Sequence, residues 1–134
     1  MIASVLLPVA LLLPLAPVAE HETLALLTAG ARVTAVTPLG DRRATIEAWG
    51  GEACLSRITL RLDDGRTRAP EVDWSDAALD FAAGGVGSTL TMSARFGGEA
   101  GGIQALSLRL ASGEDATAAL RALRSLRLAC AAVW

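Results

Sequence analysis

The sequence predicts a mainly β fold (α+β class), a small antiparallel β-sandwich or barrel of about seven strands with one C-terminal helix. Apolar and polar residues alternate over short runs at roughly ten-residue spacing, which is typical of such folds. Glycine, proline and Asp-Gly pairs separate these runs and indicate turns. An alanine- and leucine-rich segment near the end carries a helix start signal. The chain's 134 residues suit a single domain.

The predicted strands follow one another between turns. Residues 22–30 are either a first strand or a loose start, and residues 73–85 favour a turn and a strand, 78–83, over a short helix. Pro70 predicts an edge position for its strand, because proline cannot donate to a ladder. The glycine-rich segment 97–102 predicts a hairpin loop, and Gly50-Gly51 another turn. The remaining predicted strands are 32–37, 42–49, 54–62, 67–72, 88–96 and 104–110.

The C-terminal run predicts a strand, a helix and a strand. Ser112 and Asp115 have the spacing of a capping box, and residues 116–125 after them are good helix formers. Residues 126–134 then alternate with a period of two, which predicts a final strand with Cys130 facing the core. A helix that continues to Cys130 is the alternative.

The first nineteen residues have the character of a secretory signal peptide. Residues 1–19 carry no charged side chain, are mostly apolar and contain three prolines. We therefore expect residues 20–134 to form a single β-rich domain that is periplasmic or secreted. An uncleaved membrane anchor remains the alternative, because nineteen apolar residues nearly span a bilayer.

The two cysteines predict a disulfide. In an exported chain, a single pair of cysteines on inward faces indicates a bridge between Cys54 and Cys130. Two buried free thiols are the alternative.

The inventory of reactive side chains restricts the possible chemistry. His21 is the one histidine, and its place near the start of the exported domain predicts a mobile side chain that is poorly suited to general base catalysis. The chain has no lysine, so the glycine-rich segment 84–89 lacks the residue that a phosphate loop needs. One histidine and two cysteines fall short of a structural zinc site. We expect no cofactor and no metal.

The acidic segment 63–80 is the richest source of carboxylates. It most often signifies a solvated surface, but its oxygens could also bind calcium or supply a general acid and base. Net charge is −2, which argues against a nucleic-acid partner. The six acidic residues are Asp63, Asp64, Glu71, Asp73, Asp76 and Asp80.

Trp49 falls on the polar face of its predicted strand. An exposed ring there would bind a sugar or a protein, so Trp49, Asp73 and Asp76 form the candidate partner surface. The pattern favours a partly buried ring that covers a sheet edge, and the exposed ring is the alternative.

Two architectural resemblances concern the element order. Strands followed by a C-terminal helix resemble pleckstrin-homology-like domains, an analogy of architecture without a residue motif. Alternating apolar residues before Trp134 resemble the closing strand of an outer-membrane barrel, but the chain lacks tyrosine and is too short for eight spanning strands.

The functional expectation is a non-catalytic binding or structural accessory protein of the cell envelope. Its partner would be an unidentified protein or envelope component, and it would meet a membrane only through an uncleaved N-terminus. The alternative is a small hydrolase that uses the carboxylates of residues 63–80.

Overall fold

A computed structural model describes residues 19–83 and 88–131 as one antiparallel sheet of eight strands with two helices. The mainly β fold with a C-terminal helix is confirmed. The strands form a single sheet that does not close into a barrel. Most of the predicted signal peptide, the link 84–87 and Trp134 lie outside the described residues. The elements are α1 (19–28), β1 (Arg32–Thr37), β2 (Gly40–Glu52), β3 (Leu55–Leu62), β4 (Thr67–Asp73), β5 (Asp80–Ala83), β6 (Thr89–Ser93), β7 (Gly97–Glu99), β8 (Ala105–Arg109) and α2 (Gly113–Ala131).

The sheet has the strand order β5-β6-β8-β1-β2-β3-β4-β7. One face is apolar, since alternate residues along each strand point to the same side. The two helices contribute their apolar residues to the same core. The inward side chains of the central strands are Val33, Ala35, Ala44, Ile46, Ile58, Leu60, Leu106 and Leu108, all buried.

A β-bulge in β2 reverses the predicted orientation of Trp49. Ile46 lies opposite Leu60 and Ala48 lies opposite Thr59, so Glu47 is an extra residue in the ladder. An extra residue shifts the alternation by one position. Trp49 therefore joins Ile46 on the inner face with 4% of its surface exposed, which contradicts the exposed ring and buries the side chain more fully than the favoured edge ring. The predicted turn at Gly50-Gly51 is also wrong, because β2 continues to Glu52.

β4 is not an edge strand, which corrects the prediction from Pro70. The short strand β7 pairs with β4, and Pro70 lies opposite Gly98. β7 occupies part of the predicted hairpin loop 97–102. The ladder between β4 and β3 is interrupted around Pro70, where the backbone has no N–H to donate. Pro70 is thus accommodated within the sheet by a local gap.

α2 continues to Ala131, so the predicted final strand is wrong over residues 126–131 and the helical alternative is confirmed. Leu123, Leu126 and Cys130 recur at helical spacing and are all buried. The predicted start is correct: the Ser112 hydroxyl accepts a hydrogen bond from the Asp115 amide at 3.1 Å.

The segment before β1 forms a helix, not a strand. Leu24 and Thr28 are buried one turn apart, and the Thr28 hydroxyl donates to the Leu24 carbonyl at 2.6 Å. Gly30 has a φ of 73°, which ends the helix at a conformation that favours glycine. The turn and strand predicted for residues 73–83 are confirmed, with the strand beginning at Asp80.

Candidate functional site

The predicted disulfide is confirmed and joins the β2–β3 turn to the end of α2. The Cα atoms of Cys54 and Cys130 are 5.6 Å apart. The Cys54 carbonyl accepts a hydrogen bond from the Trp74 amide at 2.9 Å, and the Trp74 indole donates to the buried Ser56 hydroxyl at 2.8 Å. Because the polar groups beside the bridge form hydrogen bonds with one another, we assign the disulfide a structural role.

An aromatic cluster continues this end of the core towards β5. The rings of Trp74 and Phe81 meet edge to face with centroids 6.2 Å apart. The Arg127 guanidinium lies 5.6 Å from the centre of the Phe81 ring, a cation–π arrangement. These contacts attach α2 to β5.

The candidate partner residues Trp49, Asp73 and Asp76 do not form one surface. Trp49 lies in the core, and Asp73 accepts hydrogen bonds from the amide and hydroxyl of Ser75 at 3.0 and 2.6 Å. Asp76 accepts two hydrogen bonds from Arg95, at 2.7 and 3.2 Å. The Arg95 hydrogen bonds, followed by the Ala78 amide, lower the pKa of Asp76. Both carboxylates stabilise the turn after β4, and Asp76 stays ionised at neutral pH.

The acidic segment also does not assemble a cation site. Within residues 19–83 and 88–131, no three histidine, cysteine or acidic side chains come together in an arrangement that could hold a metal ion.

His21 is buried in α1, so the prediction of a mobile side chain is wrong. Its exposed fraction is 4%, and neither ring nitrogen has a hydrogen-bond partner among residues 19–83 and 88–131. A methyl group added at Gly51 would come within 2.7 Å of the His21 Nε2 atom, which shows how closely β2 approaches the ring. Burial lowers the pKa of His21 below its ordinary value, because the charged form loses its hydration. The ring packs as a neutral group, and no described residue lies where it could exchange a proton with it.

The solvent face of the sheet carries a cluster that we call the arginine face. It consists of the four arginines and four hydroxyl residues that line an open groove of about 830 Å³ across β6, β8, β1, β2 and β3. All eight point away from the core by the alternation of their strands. They are Arg32, Arg43, Arg61, Arg109, Thr34, Thr45, Thr89 and Ser107.

Strand register places the arginines next to one another. Arg32 lies directly opposite Arg109 on β8 and opposite Thr45 on β2, which in turn faces Arg61 on β3. Arg43 is one step further along the face, diagonal to Arg32. Directly opposed side chains have Cβ atoms about 5 Å apart and diagonal ones about 7–8 Å. Four arginines from four strands thus form one continuous array.

The charge of the arginine face is mostly uncompensated. Arg61 forms an ion pair with Glu47 at 3.1 Å. Arg32, Arg43 and Arg109 take part in none of the ion pairs of residues 19–83 and 88–131, a part of the chain that includes all its aspartates and glutamates. The groove lining holds four arginines and one aspartate, Asp63, for a formal charge of +3.

The opposition of Arg32 and Arg109 is unfavourable for the sheet alone. Like charges directly opposite on neighbouring strands destabilise the pairing. A bound anion would reverse this effect, since guanidinium groups form paired, charge-assisted hydrogen bonds with carboxylate, sulfate or phosphate oxygens. The arrangement is therefore suited to anion binding.

A smaller cavity of about 140 Å³ adjoins this groove, and Leu62 lines both. Its wall includes Arg42 and Arg66, whose guanidinium groups lie 3.7 and 3.6 Å from the same Asp64 oxygen. Asp64 thus compensates part of the positive charge at this cavity. Arg32, Arg43 and Arg109 have no such partner within the described part of the chain, so the larger groove is the stronger candidate site.

The arginine face was missed at the level of sequence. The alternation in residues 42–49 and 104–110 already pointed Arg43 and Arg109 away from the core. The missing information was the strand order, which brings β8 beside β1 and so joins the first and last strands of the sequence pattern.

Among the described residues, no helix is both long and apolar enough to cross a membrane. No protein family, curated protein or solved structure matches the chain.

Proposed function

We propose that the protein is a non-catalytic binding domain of the cell envelope, periplasmic or secreted, whose arginine face binds an anionic ligand. The observation that carries the proposal is the opposed pair Arg32 and Arg109, with Arg43 beside them and without carboxylate partners among the described residues. These side chains stand on neighbouring strands of one sheet, so little backbone ordering is required when a ligand binds.

The cellular location is supported by two features. A disulfide is typical of proteins in oxidising compartments and indicates a non-cytoplasmic domain. The apolar residues 1–19 have the character of a signal peptide.

A binding role is favoured over the hydrolase alternative by the state of the reactive groups. The chain's one histidine is buried, and none of the described residues forms a hydrogen bond with its ring. Asp73 and Asp76 are engaged in local hydrogen bonds, and Asp76 is held in its ionised form. A general acid needs a raised pKa at neutral pH, which is opposite to the shift at Asp76.

The test is retention on a column of heparin, used as a polyanionic probe, with a sodium chloride gradient at pH 7. The net charge of the chain is −2, so retention requires a local basic surface. We expect the variant Arg32→Gln/Arg109→Gln to elute at a clearly lower salt concentration than the wild type.

The matched control is Arg121→Gln/Arg124→Gln, which removes the same charge from the exposed side of α2. We expect the control to elute close to the wild type. Equal shifts for the two variants would mean that retention follows net charge alone, and this result would overturn the proposal.

A further inference from the structure

We infer that the ligand of the arginine face is an acidic polysaccharide, a glycan chain with carboxylate or sulfate groups that lies across the strands from β8 to β3. This inference rests on the proposed function and adds the chemical class of the ligand. Three features of the face support it, namely the span of the charges, their spacing and the groups between them.

The span of the arginines exceeds the size of a single small anion. Arg109, Arg32 and Arg61 lie on β8, β1 and β3, so the outer two are three strand spacings apart. At about 4.8 Å per spacing the row extends about 14 Å. One carboxylate or sulfate can contact the adjacent pair Arg32 and Arg109, whereas Arg61 requires a ligand that continues along the row.

The spacing of the charges matches a polymer of moderate charge density. The face presents four arginines over about 14 Å of sheet. Duplex DNA carries one negative charge for about every 1.7 Å of its axis when both strands are counted. Over the same length of sheet it therefore carries roughly twice as many charges as the face has arginines. Glu47 and Asp63 beside Arg61 and Arg43 would add repulsion against so dense a polyanion. A glycan with about one acidic group per sugar is a closer match.

Hydroxyl groups fill the positions between the arginines. Thr45 separates Arg32 from Arg61, and Thr89 continues the row beyond Arg109. A hydroxyl both donates and accepts hydrogen bonds, as do the hydroxyls of a sugar ring. An alternation of guanidinium and hydroxyl groups therefore complements a chain in which acidic groups alternate with sugar hydroxyls.

The groove lining contains no aromatic side chain within the described residues. Trp49 and Trp74 are buried, with 4% and 1% of their surfaces exposed. Proteins that bind single-stranded nucleic acid generally stack its bases on aromatic rings, and this face offers no such platform. Sugar rings also stack on aromatic side chains, so the spacing of the charges and the hydroxyl groups between them are the observations that favour an acidic polysaccharide.

The experiment is a calorimetric titration of the disulfide-bonded protein with oligogalacturonates of increasing length, and with single- and double-stranded oligodeoxynucleotides of equal total charge, at fixed salt. We expect affinity to rise with oligogalacturonate length until the chain covers about 14 Å, the span of three strand spacings, and then to level off. We also expect Arg61→Gln to weaken the longer oligomers and to leave the shortest unaffected.

The hydroxyl variant Thr45→Val tests the role of the groups between the charges. Removal of one hydrogen bond is expected to reduce affinity for a long oligogalacturonate by about fivefold. The matched control is Thr91→Val, an exposed position on β6 outside the groove lining, which should bind as the wild type does.

The outcomes separate this inference from the proposed function. If oligodeoxynucleotides bind more tightly than oligogalacturonates of equal charge, or if monomeric galacturonate binds as tightly as the oligomers, the polysaccharide inference is overturned while an Arg32-dependent anion site remains. If no anionic probe binds in a manner sensitive to Arg32→Gln/Arg109→Gln, the proposed function itself fails.

Discussion

Reduction of the bridge between Cys54 and Cys130 is expected to remove a large part of the stability of the domain. The cysteines are 76 residues apart, and loop-closure entropy then gives about 4.5 kcal/mol of stabilisation at 25 °C. Domains of this size are stable by about 5–15 kcal/mol in total. The loss thus amounts to about a third of the free energy of unfolding or more.

The position of the bridge explains why its removal should leave a folded protein of much lower stability. Cys130 lies near the end of α2, where it and Leu126 are buried against the core. Without the bridge, those side-chain contacts alone hold the end of the helix. We expect the sheet and the helix to persist in reducing buffer with a much lower resistance to denaturant.

The assay is urea unfolding followed by far-ultraviolet circular dichroism, for the oxidised protein, the reduced protein and a Cys54→Ala/Cys130→Ala variant. Reduction should lower the midpoint and steepen the dependence on urea, because the unfolded chain without a cross-link exposes more surface. The double variant is the control, since reductant should leave it unchanged. Equal midpoints for the oxidised and reduced protein would refute the reasoning.

Two further predictions concern buried rings. Burial lowers the pKa of His21 below 6.5, so the unfolded chain binds more protons and the stability should fall as pH drops through 6.5. The variant His21→Leu should show a smaller difference between the urea midpoints at pH 7.5 and 5.5. A difference as large as that of the wild type would contradict this prediction. Trp49→Ala should lower the free energy of unfolding by about 3–5 kcal/mol, whereas Trp49→Phe should lower it far less because phenylalanine retains a ring. An alanine variant as stable as the wild type would contradict the burial of Trp49.

The alternation of apolar residues was sufficient to predict the inner faces of β3 and β8. Ile58 and Leu60, or Leu106 and Leu108, follow a period of two without interruption, so either strand can be assigned locally. The same rule failed at Trp49, because a bulge adds one residue and nothing in the local sequence marks Glu47 as the extra one.

The end of α2 was ambiguous for a different reason. The residues 126–131 fit both a period of two and a period of 3.6, so the local sequence allows a strand or a helix. A strand would place Leu128 on the same inward face as Leu126 and Cys130, but Leu128 is 72% exposed, as the helical spacing requires, and the bridge to Cys54 retains this spacing. Tertiary contacts decided between two local conformations.

Whole-chain charge was a poor guide to the candidate site because an antiparallel sheet separates charges that are mixed in the sequence. The carboxylates Asp73 and Asp76 lie in the turn after β4, while the arginines of the arginine face come from four separate strands. Charges beyond about 8 Å are largely screened at physiological salt, so a ligand in the groove experiences the nearby arginines more than the net charge of −2. The arginine face could therefore be predicted only once β8 was placed beside β1, because no local pattern encodes the pairing of Arg32 with the distant Arg109.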